Sequence, residues 1–207
     1  MIDKIYVFDD IIDKPYQNKI KSILIGETRY NHQDFPWYYI DDITSAGEYE
    51  NQKRGAFSHD YVHYEEGIDS DFHYLFIDLI KKSCSKLKIK EVDVLQGRSF
   101  FQLPSNIKKE DVDTPHYDMD APHFVMLYYV NDSDGDTIIY NEKTIFNDCG
   151  PEEMNFTIKK KVSPKQGRVV LFDGRHWHTA QQPNHNLRCI VNYNLRDLSK
   201  VVPGVRI

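Results

Sequence analysis

The sequence predicts a mainly β fold, a barrel or jelly roll of short strands with two helices bracing one side, in the α+β manner. Three observations carry this expectation. From Val92 onward six apolar or alternating stretches follow one another: VDVLQGRSFFQL, HFVMLYYVN, DTIIYN, MNFTIKKKV, GRVVLF and LRCIVNYNL. Between them lie pieces such as NDSDGD, NDCGPEE and SPKQG, whose Gly, Asn, Asp and Pro interrupt regular structure. Two stretches nearer the amino terminus instead carry apolar residues at helical spacing.

Taken in order, IYVFDDII reads as a strand. Asp13 then caps a helix of about three turns, with Pro15 in its first turn, Tyr16, Ile20, Ile23 and Leu24 on its apolar face, and Gly26 as its stop. In SDFHYLFIDLIKKSCSKL, Ser70 is a cap for one continuous helix. Its stripe is Phe72, Leu75, Phe76, Leu79, Ile80 and Leu87. HFVMLYYV is apolar almost throughout, as in a strand covered on both faces. FPWYYIDDITSAGEYE (35–50) fits either an ordinary strand on the barrel or a lid over a pocket. With no repeat or linker, residues 1–207 are expected to form one domain. Its bracing region is 1–91 and its β core 92–196.

Composition narrows the function classes. The 207 residues are 40% hydrophobic and 28% charged, ordinary for a soluble globular protein. A net charge of −6 argues against a nucleic-acid partner, because KKSCSKLKIK and IKKKV are flanked by acid and read as solvated faces. No run of 18 apolar residues is present, so no membrane segment is expected. MIDKIYVFDDIIDK lacks a signal-peptide core. Cys84, Cys149 and Cys189 are scattered without CxxC spacing, which disfavours a disulfide framework or a zinc-thiolate site. The expected setting is reducing and cytoplasmic, which also suits Fe(II).

The chemistry begins at TPHYDMD (114–120). On a strand, residues two apart share a face, so His116 and Asp118 face one cavity and Tyr117 faces away. Imidazole plus carboxylate suits a divalent metal, but HxD alone occurs often by chance. In GRVVLFDGRHWHTAQQ, either His176 or His178 could supply a third ligand. Ten residues past His178, Arg188 opens the apolar strand RCIVNYNL. A buried guanidinium there needs an anion. Metal and buried cation together describe a pocket for a small dicarboxylate, chelated at one end and clamped at the other.

HYD, LYYVN, FDGRHWH and the following Arg, in this order and spacing, resemble the 2-oxoglutarate/Fe(II)-dependent dioxygenases, specifically the prolyl 4-hydroxylase-like branch. The resemblance spans roughly residues 92–196. It implies a double-stranded β-helix (jelly-roll, cupin-like) core and an oxidoreductase whose catalytic metal ligands are His116, Asp118 and His178. His178 is preferred to His176 because the family's ligand falls six residues after the Phe of the F-D-G turn. Arg188 would bind the distal carboxylate of 2-oxoglutarate, and Tyr129 would assist it through its hydroxyl. Fe(II), 2-oxoglutarate and O2 are the implied cofactor and cosubstrates, with ascorbate a further reductant the resemblance allows.

The implied reaction hydroxylates a C–H bond while 2-oxoglutarate is decarboxylated to succinate and CO2. The chain departs from the pattern at Asn194, where some relatives carry Trp, and at Gly135-Asp136, where many carry two glycines. The leading substrate is a prolyl residue of a peptide or protein. The alternatives are a free amino acid or other small molecule and, in another class, a non-catalytic cupin-like metal-binding module. Asn192 and Asn194 share the parity of Arg188 and could face the cavity. Arg98 could reach the substrate mouth or form a surface ion pair, and the ion pair is the favoured expectation; Asp120 is expected at most on the pocket rim.

Overall fold

The computed structural model describes residues 2–26, 35–43, 54–105, 112–144, 151 and 154–200. Cys149 and the part of the lid-or-strand segment beyond residue 43 lie outside these. The main sheet is antiparallel throughout, in the order β1 (Tyr6–Phe8), β9 (Val169–Asp173), β6 (Phe124–Tyr129), β11 (Arg188–Asp197), β5 (Val92–Gln102), β3 (Ala56–His63) and β2 (Tyr38–Ile40), with β4 (Gly67–Ile68) also paired to β3. A second sheet runs β10 (His176–Ala180), β7 (Thr137–Lys143), β8 (Ile158–Val162). Two antiparallel sheets with the chain crossing between them form the jelly-roll core expected from the strand pattern.

Strands β6 and β9 are buried at every position. Their alternate residues serve two different interiors. Phe124, Met126 and Tyr128 join the core beneath the helices, while Val125, Leu127 and Tyr129 join a cluster with Ile139, Phe172 and Ile190 between the sheets. The continuous apolar run of β6 is thus the consequence of cover on both faces.

Helix α1 (Lys14–Ile25) has the expected caps. The Asp13 carboxylate accepts the Tyr16 amide at 3.0 Å, and Gly26 closes the helix at φ 70°, a left-handed conformation that costs glycine little. Ile20 and Leu24 are fully buried. The second helix differs from the single element expected: residues 71–76 form 3-10 turns, and α2 proper is Ile77–Lys86. The tighter winding lets His73 bond the buried Tyr193 hydroxyl at 3.1 Å while Phe76 enters the same core.

Residues 1–91 also do more than brace. They supply β1 to one edge of the main sheet and β3, β2 and β4 to the other. AFSHDYVH was not legible as a strand, because its apolar residues do not alternate cleanly with its polar ones.

One glycine on β5 is a close-packing requirement. A methyl group at Gly97 would stand 2.2 Å from the ring of Tyr193, which is fully buried and held by His73. Gly97→Ala is therefore expected to destabilise the fold by about 2–3 kcal/mol through overpacking. A lowered urea midpoint with unchanged slope would show it. An unchanged midpoint would mean the ring can move aside.

Candidate active site

The two candidate histidines face each other across one hydrogen-bonded pair. The His116 amide donates to the His178 carbonyl and the His178 amide to the His116 carbonyl, both at 2.9 Å. HYD is consequently not part of a ladder strand. It is a single bridge followed by a bend that turns Asp118 inward. The segment is laced to β10 further along: the Asp113 amide bonds the Ala180 carbonyl at 3.0 Å, and the Asp113 carboxylate takes Gln182 and Arg54, the latter at 2.9 Å.

The ligand atoms of His116, Asp118 and His178 all lie within 4.8 Å of one another. His116 Nε2 stands 4.0 Å from Asp118 Oδ1, and His178 Nε2 stands 3.9 Å from Asp118 Oδ2. Each imidazole donates its Nδ1 hydrogen to a backbone carbonyl, His116 to Thr114 at 3.2 Å and His178 to His176 at 3.0 Å. A carbonyl only accepts, so Nδ1 carries a hydrogen on each ring and Nε2 is the nitrogen left facing the carboxylate, the one available to a metal. Two imidazoles and one carboxylate on one side, with a cavity on the other, is a donor set that fits Fe(II).

Asp118 is 1% exposed as a side chain yet charged. Burial would raise its pKa, but His178, Arg98 and His116 together with a hydrogen bond from Asn192 hold it well below the usual carboxylate range. Arg98 Nη2 donates to Oδ1 at 3.0 Å and Asn192 Nδ2 to Oδ2 at 3.1 Å. This corrects the expectation for Arg98, which lies in the cavity against the metal-side carboxylate rather than in a surface ion pair. Asn192 faces the cavity, whereas Asn194 bonds Gln96 at 3.1 Å and does not line it. Asp120 is exposed. The Tyr117 ring meets Trp177 edge-on at 5.1 Å, away from the histidines, although the residue also contributes to the cavity wall.

His176 and His178 share strand parity, but the β10–β7 register slips between them, from His176 opposite Lys143 to His178 opposite Ile139. The bulge re-aims one of the two. His176 ends 3.3 Å from the Lys159 amine and outside the cavity. Burial depresses both histidines to a pKa of about 4, aided by Lys143 and Lys159 at His176 and by His116 at His178.

A group whose folded pKa is lowered stabilises the protein above its unfolded pKa of 6.5 and loses that contribution as pH falls toward 4. Metal-free protein is expected to lose stability across this window, by about 1.4 kcal/mol per pH unit for each histidine at the steepest. Urea titrations at stepped pH check this. A flat profile from 6.5 to 4 would contradict it.

The cavity, of about 410 Å³, runs between the sheets. At its deep end Arg188 is 3% exposed. Its guanidinium donates to the Gly135 carbonyl at 3.0 Å, Gln102 Oε1 at 2.7 Å and Thr137 Oγ1 at 3.0 Å. All three acceptors are neutral, and among the described residues no carboxylate pairs with it. Among the described residues Gln102 Nε2 is buried without a hydrogen-bond partner. A buried cation beside an unspent amide donor is what a carboxylate ligand would complete.

Tyr129 is placed differently from the expectation. Its hydroxyl bonds Thr137 Oγ1 at 2.7 Å, so Thr137 stands between it and the cavity, and Tyr129 does not line the wall. Thr137 and Gln102 were missed in the sequence. Gln102 could have been found from its parity with Arg98 on β5, whereas nothing local marks Thr137.

No family model and no curated protein sequence matches the chain. Its fold, however, is shared with solved structures. A 2OG-Fe(II) oxygenase family oxidoreductase from Burkholderia pseudomallei superposes with a TM-score of 0.64 at 10% identity, covering 93% of this chain and 85% of that one. A Trichoplax adhaerens prolyl hydroxylase, solved with a hypoxia inducible factor peptide fragment, gives 0.58 at 14% identity over 98% and 87%. A viral collagen prolyl hydroxylase from Paramecium Bursaria Chlorella virus-1, in complex with 2OG, gives 0.56 at 13% over 95% and 97%. An alpha ketoglutarate dependent carbocyclase of nogalamycin biosynthesis gives 0.57 at 11% over 98% and 88%. The chain therefore has the double-stranded β-helix fold of the 2-oxoglutarate oxygenases. No helix among the described residues is long and apolar enough to cross a membrane.

Proposed function

We propose that this protein is a 2-oxoglutarate- and Fe(II)-dependent dioxygenase that hydroxylates a C–H bond, with a prolyl residue of a peptide as its substrate. The observation that carries the reading is Arg188, a buried cation whose hydrogen-bond acceptors among the described residues are all neutral, sharing one cavity with an open His-Asp-His group. A closed structural metal site would have no use for that cation, which speaks against a binding module without activity. The prolyl assignment draws support from the two prolyl hydroxylases that share the fold. The carbocyclase shows how far chemistry varies on it.

In this reading His116, Asp118 and His178 hold the metal, and the Nδ1 anchors on Thr114 and His176 keep both rings turned to it. The iron, once bound, supplies O2 activation coupled to decarboxylation of the cosubstrate. Arg188, Gln102 and Thr137 hold the distal carboxylate, and Tyr129 orients the Thr137 hydroxyl. Val125, Leu127, Phe172 and Ile190 form an apolar wall between the two polar ends, which keeps water from the chelating end.

The test is spectroscopic. Adding Fe(II) and 2-oxoglutarate without oxygen is expected to give a visible charge-transfer absorption. Admitting O2 with proline-containing peptides should then release succinate. A native protein that shows no such absorption at saturating metal would sink the reading.

A further inference from the structure

Strands β5 and β11 pair residue for residue along the cavity: Arg188 opposite Gln102, Ile190 opposite Phe100 and Asn192 opposite Arg98. All six line the same space. Four residues of strand separate the ends by roughly 13 Å. The cavity thus has a cation at each end and an apolar middle. The Arg188 end is sealed, at 3% exposed. The Arg98 end opens outward, with its side chain 25% exposed, and it is the end that holds Asp118.

Arg98 is poorly satisfied for a residue so placed. Its guanidinium lies 5.1 Å from the Phe100 ring, which fixes its plane. Among the described residues Asp118 is its one hydrogen-bond acceptor, and its Nε is buried without a partner. A guanidinium presents several donors in a rigid fork suited to two-oxygen anions. When a metal takes up the charge of Asp118, Arg98 is a cation at the mouth with donor capacity to spare. The distal carboxylate of the cosubstrate belongs at the opposite end of the strand pair, and its other carboxylate is the one that would chelate the metal.

We propose that Arg98 anchors a carboxylate carried by the prime substrate, so that the C–H bond to be oxidised lies beside a carboxylate rather than in a neutral stretch of peptide. The inference rests on the oxygenase reading and deepens it. The carboxylate has two sources, the α-carboxylate of a free amino acid or chain end, and an acidic side chain flanking the target in a peptide.

The experiment uses full-length protein loaded with Fe(II) and 2-oxoglutarate, and compares matched probes by succinate release. L-proline is set against L-prolinamide, a peptide ending in proline against its carboxamide, and a blocked peptide with Pro-Glu against one with Pro-Gln. In at least one pair the carboxylate is expected to exceed its neutral partner by about 10- to 100-fold in kcat/KM, and the responding pair identifies the source. In Arg98→Gln that ratio should collapse to near unity, while Arg98→Lys, which keeps the charge without the fork, keeps part of it.

Because the ratio is taken within one protein, any effect of the substitution on Asp118 and the metal cancels. Where turnover is too slow, anaerobic binding of the same pairs to the Mn(II)- and 2-oxoglutarate-loaded protein gives the ratio. Equal rates within every pair, no probe raising succinate above its substrate-free rate, or an unchanged ratio in Arg98→Gln would each overturn the inference. The charge-transfer absorption of the native protein reports separately on whether the oxygenase reading itself stands.

Discussion

Replacing Asp118 by asparagine is expected to weaken metal binding on the order of 10²- to 10⁴-fold and to remove the charge-transfer absorption, with the fold retained. The substitution keeps the shape and a carbonyl acceptor but deletes the carboxylate of the His-Asp-His group. In the native protein that carboxylate is almost fully buried and stays ionised because His178, Arg98, His116 and Asn192 surround it. A neutral amide there leaves two imidazoles as the only strong ligands and puts the Arg98 charge beside an incoming dication. Both changes oppose binding. Circular dichroism and the urea midpoint establish that the variant is folded, and titration with Co(II) or Mn(II) gives the affinity without relying on turnover. A variant that binds these metals within threefold of the native protein would show that the ligand set lies elsewhere. The next candidate to test would then be Asp113, whose pKa burial raises and which Gln182 and Arg54 occupy.

How much of this was legible in the sequence follows from the range over which each signal acts. The caps of α1 are local, and Asp13, Pro15 and Gly26 stand where capping chemistry puts them. The strands of the core were legible because burial on both faces writes a continuous apolar run into β6 and β9. The His-Asp-His group was legible only as a constellation, since His116 and His178 become neighbours through a single bridge between segments far apart in the chain.

What could not be read was set by register. Parity placed His176 and His178 on one face, and the bulge between them undid it. Parity likewise offered Asn192 and Asn194 equally, and only their bonds to Asp118 and Gln96 separated their roles. Arg98 looked like a solvated arginine because the partner that brings it inward, Asp118, is twenty residues away on another element. The Tyr129 hydroxyl reaches Arg188 only through Thr137, which sits at the start of β7 with no local mark of its role.

Arg188→Met should separate stability from function more sharply than any other change in the cavity. Affinity for 2-oxoglutarate is expected to fall on the order of 10²- to 10³-fold, while the stability of the metal-free protein changes by no more than about 1 kcal/mol. An ordinary buried arginine, ion-paired on both sides, would cost several kcal/mol to remove because its partner would be left charged in the interior. Arg188 forms no ion pair among the described residues; burial lowers its pKa against the longer-range attraction of Tyr129, Asp113 and Asp136, so the charge itself is held at a cost.

Methionine fills a similar volume and relieves that cost. Against this, three acceptors lose a donor. Thr137 keeps its bond from Tyr129, and the Gln102 amide already has an unpartnered nitrogen with which to rearrange. The Gly135 carbonyl is the main loss. Relief and loss are of similar size, which is why the net change in stability is small. Isothermal titration of the Mn(II)-loaded variant with 2-oxoglutarate and a urea melt of the metal-free form measure the two quantities independently. A variant that loses several kcal/mol of stability but binds 2-oxoglutarate normally would assign Arg188 to the fold and remove the observation on which the oxygenase reading rests. Arg188→Lys supplies the intermediate case: it restores the charge but not the fork, and should recover only part of the lost affinity.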